Sequence, residues 1–109
     1  MANIYKKVNT DLISGTEQSV YTVPSNSRSL VKAIHVYNEG AGDAVVTIKI
    51  TSGATTYFYE KKTMAAEAHH EFITNILILQ ENDVLKMLSD ITGPDVTISL
   101  LEMNREDNG

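Results

Sequence analysis

Ala44 to Glu60 run AVVTIKITSGATTYFYE, two stretches of β-branched and aromatic residues joined across Ser52-Gly53-Ala54-Thr55, where glycine supplies the positive φ that a two-residue hairpin loop tolerates. A β-hairpin here sets the class of the chain as all-β. With Gly53-Ala54 as the loop, Ser52 pairs with Thr55, Ile50 with Tyr57, Ile48 with Tyr59 and Val46 with Lys61; a four-residue loop closed by Thr51 and Thr56 leaves the same pairs. Side chains alternate across a strand, so Val46, Ile48, Ile50, Tyr57 and Tyr59 share the face expected to be buried. Thr47, Lys49, Thr51, Thr56, Phe58 and Glu60 share the other, which sets Phe58 beside Lys49 on a face otherwise given to water. A three-residue loop would exchange the two faces.

Strand-like segments separated by turn residues continue on both sides of the hairpin, the pattern of a sandwich or jelly roll rather than of alternating strands and helices. Upstream, Ile4 to Val8 precedes Ser14-Gly15, Thr16 to Val23 is closed by Pro24-Ser25-Asn26, and Ser29 to Asn38 enters the loop Glu39-Gly40-Ala41-Gly42-Asp43. Downstream, Met64 to Ala68 has the composition of a turn or two of helix, and His69 to Thr74 that of a strand. Asn75 to Leu79 and Val84 to Leu88 are apolar runs of strand length around the turn Glu81-Asn82-Asp83. One helix over Ile76 to Leu88 is the competing reading, and it would carry Asn82-Asp83 in its middle. After Gly93-Pro94-Asp95, Val96, Ile98 and Leu100 alternate with Thr97 and Ser99 as in a half-buried strand. The expected architecture is a single antiparallel β-sandwich, jelly-roll-like, of about eight strands over residues 1–109. Residues 1–10 form either an N-terminal arm or the first strand, and residues 104–109 a frayed polar tail.

A chain of 109 residues suits one core, and the absence of cysteine excludes a disulfide framework and thiolate metal sites. The net charge of -5 and the scatter of the nine basic residues argue against a nucleic-acid partner. The start has no apolar signal region, and no stretch reaches membrane-spanning length, so a soluble chain without a membrane partner is expected.

No motif carries chemistry. In a strand, His69 and Glu71 of His69-His70-Glu71 face one way and His70 the other, His35 lies far off in sequence, and no third or fourth metal ligand is identified. Gly40-Ala41-Gly42-Asp43 lacks the third glycine or the Gly-Lys-Ser/Thr of a phosphate loop and precedes a strand rather than a helix. There is no nucleophile elbow, no paired-carboxylate signature and no cysteine nucleophile, so no enzyme activity, metal or cofactor is expected. Tyr5, Tyr21, Tyr37, Tyr57 and Tyr59 raise a cellular carbohydrate-binding module as an alternative, weakened because the register sends Tyr57 and Tyr59 to the core.

Thr16 to Ser25, TEQSVYTVPS, followed by Leu30 to Asn38, LVKAIHVYN, resembles the opening of small β-sandwich virion proteins of tailed bacteriophages. Asp43 to Tyr59, Ile76 to Leu88 and Asp95 to Glu102 (DVTISLLE) are similar to their central hairpin, their penultimate segment and their closing strand. The resemblance implies a non-enzymatic virion structural protein assembled in the host cytoplasm. It implies capsid decoration or cement, or alternatively a neck, tail, fibre or baseplate component; the chain has no heptad run or repeat of a fibre shaft, which favours decoration or a small adaptor. Expected partners are the major capsid protein or other virion proteins, and further copies of the chain, with a trimer implied by the resemblance. Edge strands and ends are the natural contacts, and the candidate residues are Ile4, Tyr5 and Val8 near the N-terminus and Lys49 with Phe58 on the hairpin.

Overall fold

A computed structural model of the chain describes residues 2–104. Among them are nine strands and no helix: β1 (Ala2–Asp11), β2 (Gln18–Thr22), β3 (Ser27–Asn38), β4 (Ala44–Ser52), β5 (Thr55–Met64), β6 (His69–Glu71), β7 (Leu77–Leu79), β8 (Val84–Ser89) and β9 (Pro94–Asn104). They form two antiparallel sheets, β1-β9-β3-β6 with β7 also on β3, and β2-β8-β4-β5. This is the strand order of a jelly roll, in which the chain alternates between two facing sheets. β6 pairs with the His35–Tyr37 end of β3 and β7 with the Ser29–Val31 end, so the two short strands are one jelly-roll strand broken in the middle. Nine segments therefore make the eight positions that the sequence leads one to expect.

Glu71 explains the break. Its carboxylate accepts the backbone N–H of Ile34 at 2.7 Å and of Ile73 at 2.9 Å, standing in for the missing ladder partner while Phe72 and Ile73 turn into the core. Helix is absent from both places where composition allowed it. After Met64 the chain turns through Glu67, at φ 62, whose N–H donates to the carbonyl of Asn38. Between β7 and β8 the turn is held by Asn82, at φ 68, donating to Val23 O, and by the Asp83 carboxylate accepting from Gln80 N.

The hairpin β4–β5 closes on Gly53 at φ 62, and Ser52 pairs with Thr55 and Ile50 with Tyr57 as expected. One extra residue, Tyr59, then enters β5 between the pairs Lys49–Phe58 and Ile48–Glu60. Beyond this bulge Val46 faces Lys62, so the expected pairs Ile48–Tyr59 and Val46–Lys61 are displaced by one residue. Val46 and Ile48 are buried, yet Tyr57 and Tyr59 are not core residues: they stand 58% and 36% exposed. β5 is the outer strand of its sheet, and the strand of the facing sheet along this edge is the broken β6–β7, which leaves β5 largely uncovered; only Met64 of its ten residues is buried.

Leu12, Ile34, Ile48, Phe72, Leu85, Ile98 and Leu100 are among the largest wholly buried side chains of the core between the sheets. Val96, Ile98 and Leu100 alternate inward along β9 as the sequence indicates. At one end, Gly93 (φ 143) lies so close to Gly40 that a Cβ on it would sit 3.1 Å from the Gly40 nitrogen, which accounts for glycine at 93. Of the expected arm or first strand, the described residues enter the fold as β1, Ala2–Asp11, paired to β9 from Ala2–Asn104 to Asp11–Asp95. The expected tail, Asn104 apart, lies outside the described residues.

Candidate interaction surfaces

The residues proposed from sequence fall on two surfaces. Phe58, 71% exposed, lies on the outer face of β5 with the Lys49 ammonium 4.9 Å from its ring centroid. Lys49 is steered there by Glu17, whose carboxylate it meets at 2.8 Å and holds below the usual carboxylate range. Tyr57 and Phe58 point to opposite sides of the strand and Tyr59 sits at the bulge, so the three rings edge the sheet without forming one flat platform for a sugar. The carbohydrate alternative thus meets a different obstacle from the expected one: the tyrosines are exposed, but Phe58 between them faces the other way and the bulge interrupts the strand at Tyr59.

On β1 the structure separates the expected trio. Val8 packs partly against the core and Ile4 lies on the same side, whereas Tyr5 is on the outer face, 76% exposed, under Lys32 at 5.6 Å. Tyr5 begins a feature that no sequence signal announced. It pairs with Leu101, Leu101 with Leu30, and Leu30 with Ile78, giving an apolar row across four strands on the outside of the sheet. Lys7, Lys32 and Arg28 flank it on exposed positions of the same face. Only the register brings these residues together, since they come from four separate segments.

The other end of this face is acidic. Asp11 and Asp95 stand directly opposite each other across β1 and β9. A hydrogen bond with Asp11, then partial burial and the charge of Glu39, pushes Asp95 up to about 6. Because the folded state then keeps a proton that the unfolded chain releases near its ordinary value of 3.8, this pair opposes folding increasingly as pH rises from about 4 to 6. Asp95→Asn should raise the unfolding free energy measured in urea at pH 7, by on the order of 1 kcal/mol after screening by water, and have little effect at pH 4.

Inside the sandwich, Tyr21 ties the sheets together. Its hydroxyl lies 2.6 Å from both Ser29 Oγ and the buried carboxylate of Glu102, which also meets Lys6 Nζ at 3.1 Å. Burial, followed by the Glu102 hydrogen bond, holds the phenol well above its usual range, so Tyr21 is a neutral donor. Tyr21→Phe should cost about 2 kcal/mol by withdrawing a donor from a buried charge. Lys6→Ala should cost under about 1 kcal/mol, because its ammonium is half exposed. Urea unfolding of the two variants tests the ranking.

The histidines engage one another and the frame. His69 lies 5.4 Å from His35 ring to ring, and His70 stacks edge-on against Phe72 and reaches Glu60 at 3.8 Å. Among the described residues no three His, Cys, Asp or Glu side chains are grouped to hold a metal ion, and no helix is long and apolar enough to cross a membrane. A depression of about 310 Å³ on the outside of the second sheet is lined by Gly15, Val45, Thr47, Lys61, Leu88, Ser89 and Asp90, with the Asp90 carboxylate already accepting from Val45 N.

No protein-family model matches the chain, and no curated protein matches it. Among solved structures it is similar to a chain of the acid-stable capsid of Helicobacter pylori bacteriophage KHP30, with a TM-score of 0.59 and 12% identity over 96% of this chain and 95% of the other. It is also similar to a chain of the Bacillus endospore appendages, a family of disulfide-linked pili, with a TM-score of 0.58 and 12% identity over 95% and 89%. At this identity the likeness is one of fold.

Proposed function

We propose that the chain is a non-enzymatic virion structural protein of a tailed bacteriophage, and within that class a decoration or cement subunit on the outer capsid shell. The observation that carries the proposal is the nearly end-to-end match in fold and length with a chain of a phage capsid. It agrees with the sequence resemblance, and the surface supports it: exposed aromatic and aliphatic side chains collect at strand edges and on an outer sheet face rather than around a catalytic pocket. Phe58 with Lys49 on β5, and Ile4, Tyr5 and Val8 on β1, are the proposed contacts with the major capsid protein or with further copies, a trimer being the form the resemblance implies. A subunit that binds only the assembled shell stabilises it in proportion to the sites it fills.

The likeness to a pilus subunit favours a second reading, a stacked component of the neck, tail, fibre or baseplate. With no cysteine, such stacking would have to be noncovalent here. Quantitative mass spectrometry of purified particles separates the two: a copy number near that of the capsid protein is expected for decoration, a handful of copies would move the chain to the tail, and absence from particles would remove both.

A further inference from the structure

We propose that the outer face of the β1-β9-β3-β6/β7 sheet is a self-complementary interface on which two copies of this chain pack face to face about a two-fold axis. One half of the face carries the apolar row Tyr5, Leu101, Leu30 and Ile78 with Lys7 and Lys32; the other ends in Asp11 and Asp95. Among the described residues no lysine, arginine or histidine forms an ion pair with either aspartate, so the like charges face each other uncompensated. In a chain of net charge -5, this segregation of cations onto one half of a face is itself unusual.

A two-fold axis lying in the interface and crossing the strands near Thr97 reverses strand direction while keeping each strand over its own copy. Asn9, opposite Thr97, then sits at the axis, and Lys7, two residues before it, meets the partner copy's Asp11, two residues after it. On the neighbouring strands Lys32 approaches the partner's Asp95 and Tyr37. Tyr5, 76% exposed, covers Ile13, which is also exposed just beyond β1. Each copy thus supplies the charge the other lacks, as an isologous contact requires. The area is adequate as well. Three strands of ten to twelve residues at roughly 3.3 Å each and about 4.8 Å apart, with the two three-residue strands β6 and β7 beside them, give about 600 Å² per copy. The pair buries about 1,200 Å², at the lower end of the range of stable interfaces.

The pairing does not depend on the virion assignment, and it combines with a trimer formed elsewhere to give a hexamer. Sedimentation equilibrium of the whole chain across micromolar concentrations tests it, with even-numbered species expected. Asp11→Lys should weaken association at least about tenfold while leaving the subunit as stable as before or more so, because it relieves Asp95. Leu101→Ser should weaken it without unfolding the chain, and the charge swap Lys7→Asp with Asp11→Lys should restore it. Monomers or odd-numbered species alone would overturn the proposal, as would association indifferent to Asp11→Lys. Binding of a monomer to purified shells that Asp11→Lys and Leu101→Ser abolish would assign the face to the capsid protein instead, and would equally overturn it.

Discussion

Ile48→Ser is expected to leave little folded protein at physiological temperature. Ile48 is wholly buried in β4, between the two sheets, and the change removes its apolar surface, leaves a cavity and puts a hydroxyl among carbon atoms. The combined cost is about 4 kcal/mol, a large share of the 5–15 kcal/mol that holds a typical domain together. In thermal unfolding this corresponds to a fall of about 20 °C. Phe58→Ser, ten residues along the same hairpin, should lower the unfolding free energy by no more than about 1 kcal/mol, the worth of its contact with Lys49. Its effect should appear in binding to shells or to other copies. Equal damage from both substitutions would show that the faces of the hairpin are wrongly assigned.

A comparable loss is expected of Asn38→Ala. Asn38 is wholly buried, and its amide nitrogen lies 3.0 Å from Gly42 O and 3.1 Å from both Met64 O and Ala65 O, while its Oδ1 accepts from Gly40 N at 3.0 Å. Its main chain adds bonds to Glu67 and Ala68. One side chain therefore organises the loop before β4 and the turn after β5. Alanine strands these carbonyls and the Gly40 N–H, at about 2–4 kcal/mol. Aspartate should not rescue, because a carboxylate in place of the amide would face three carbonyl oxygens. Urea unfolding measures the loss, and hydrogen exchange should show it concentrated in residues 39–43 and 64–68.

Much of the fold was legible because period-two alternation and turn chemistry are local. Val96, Ile98 and Leu100 announce their inward face, and Ser52-Gly53-Ala54-Thr55 announces its turn. The same alternation continues to Glu102, but nothing in DVTISLLE tells that a carboxylate there is buried, because its partners Tyr21 and Lys6 come from two other strands. The bulge at Tyr59 escaped for a related reason. A single extra residue leaves no mark in a run of aromatics, and it shifts every pair beyond it.

The candidate surfaces divide in the same way. Phe58 beside Lys49 followed from pairing within one hairpin, where the turn alone sets the register. Tyr57 and Tyr59 were assigned to the core on the same logic and lie outside it, since burial depends on what the opposite sheet supplies, and there the facing strand is broken into β6 and β7. The row from Tyr5 through Leu101 and Leu30 to Ile78, and the confrontation of Asp11 with Asp95, required four distant segments to be brought into register.

The amino-acid sequence alone determined that this protein is an all-β sandwich of jelly-roll type, because hydrophobic alternation and glycine-bearing turns act over a few residues. Which edge remains uncovered, which polar groups are buried, and which outer face carries apolar and charged halves were decided only by tertiary structure. Those properties belong to pairs of residues far apart in the chain, and they come into being only when both sheets are assembled.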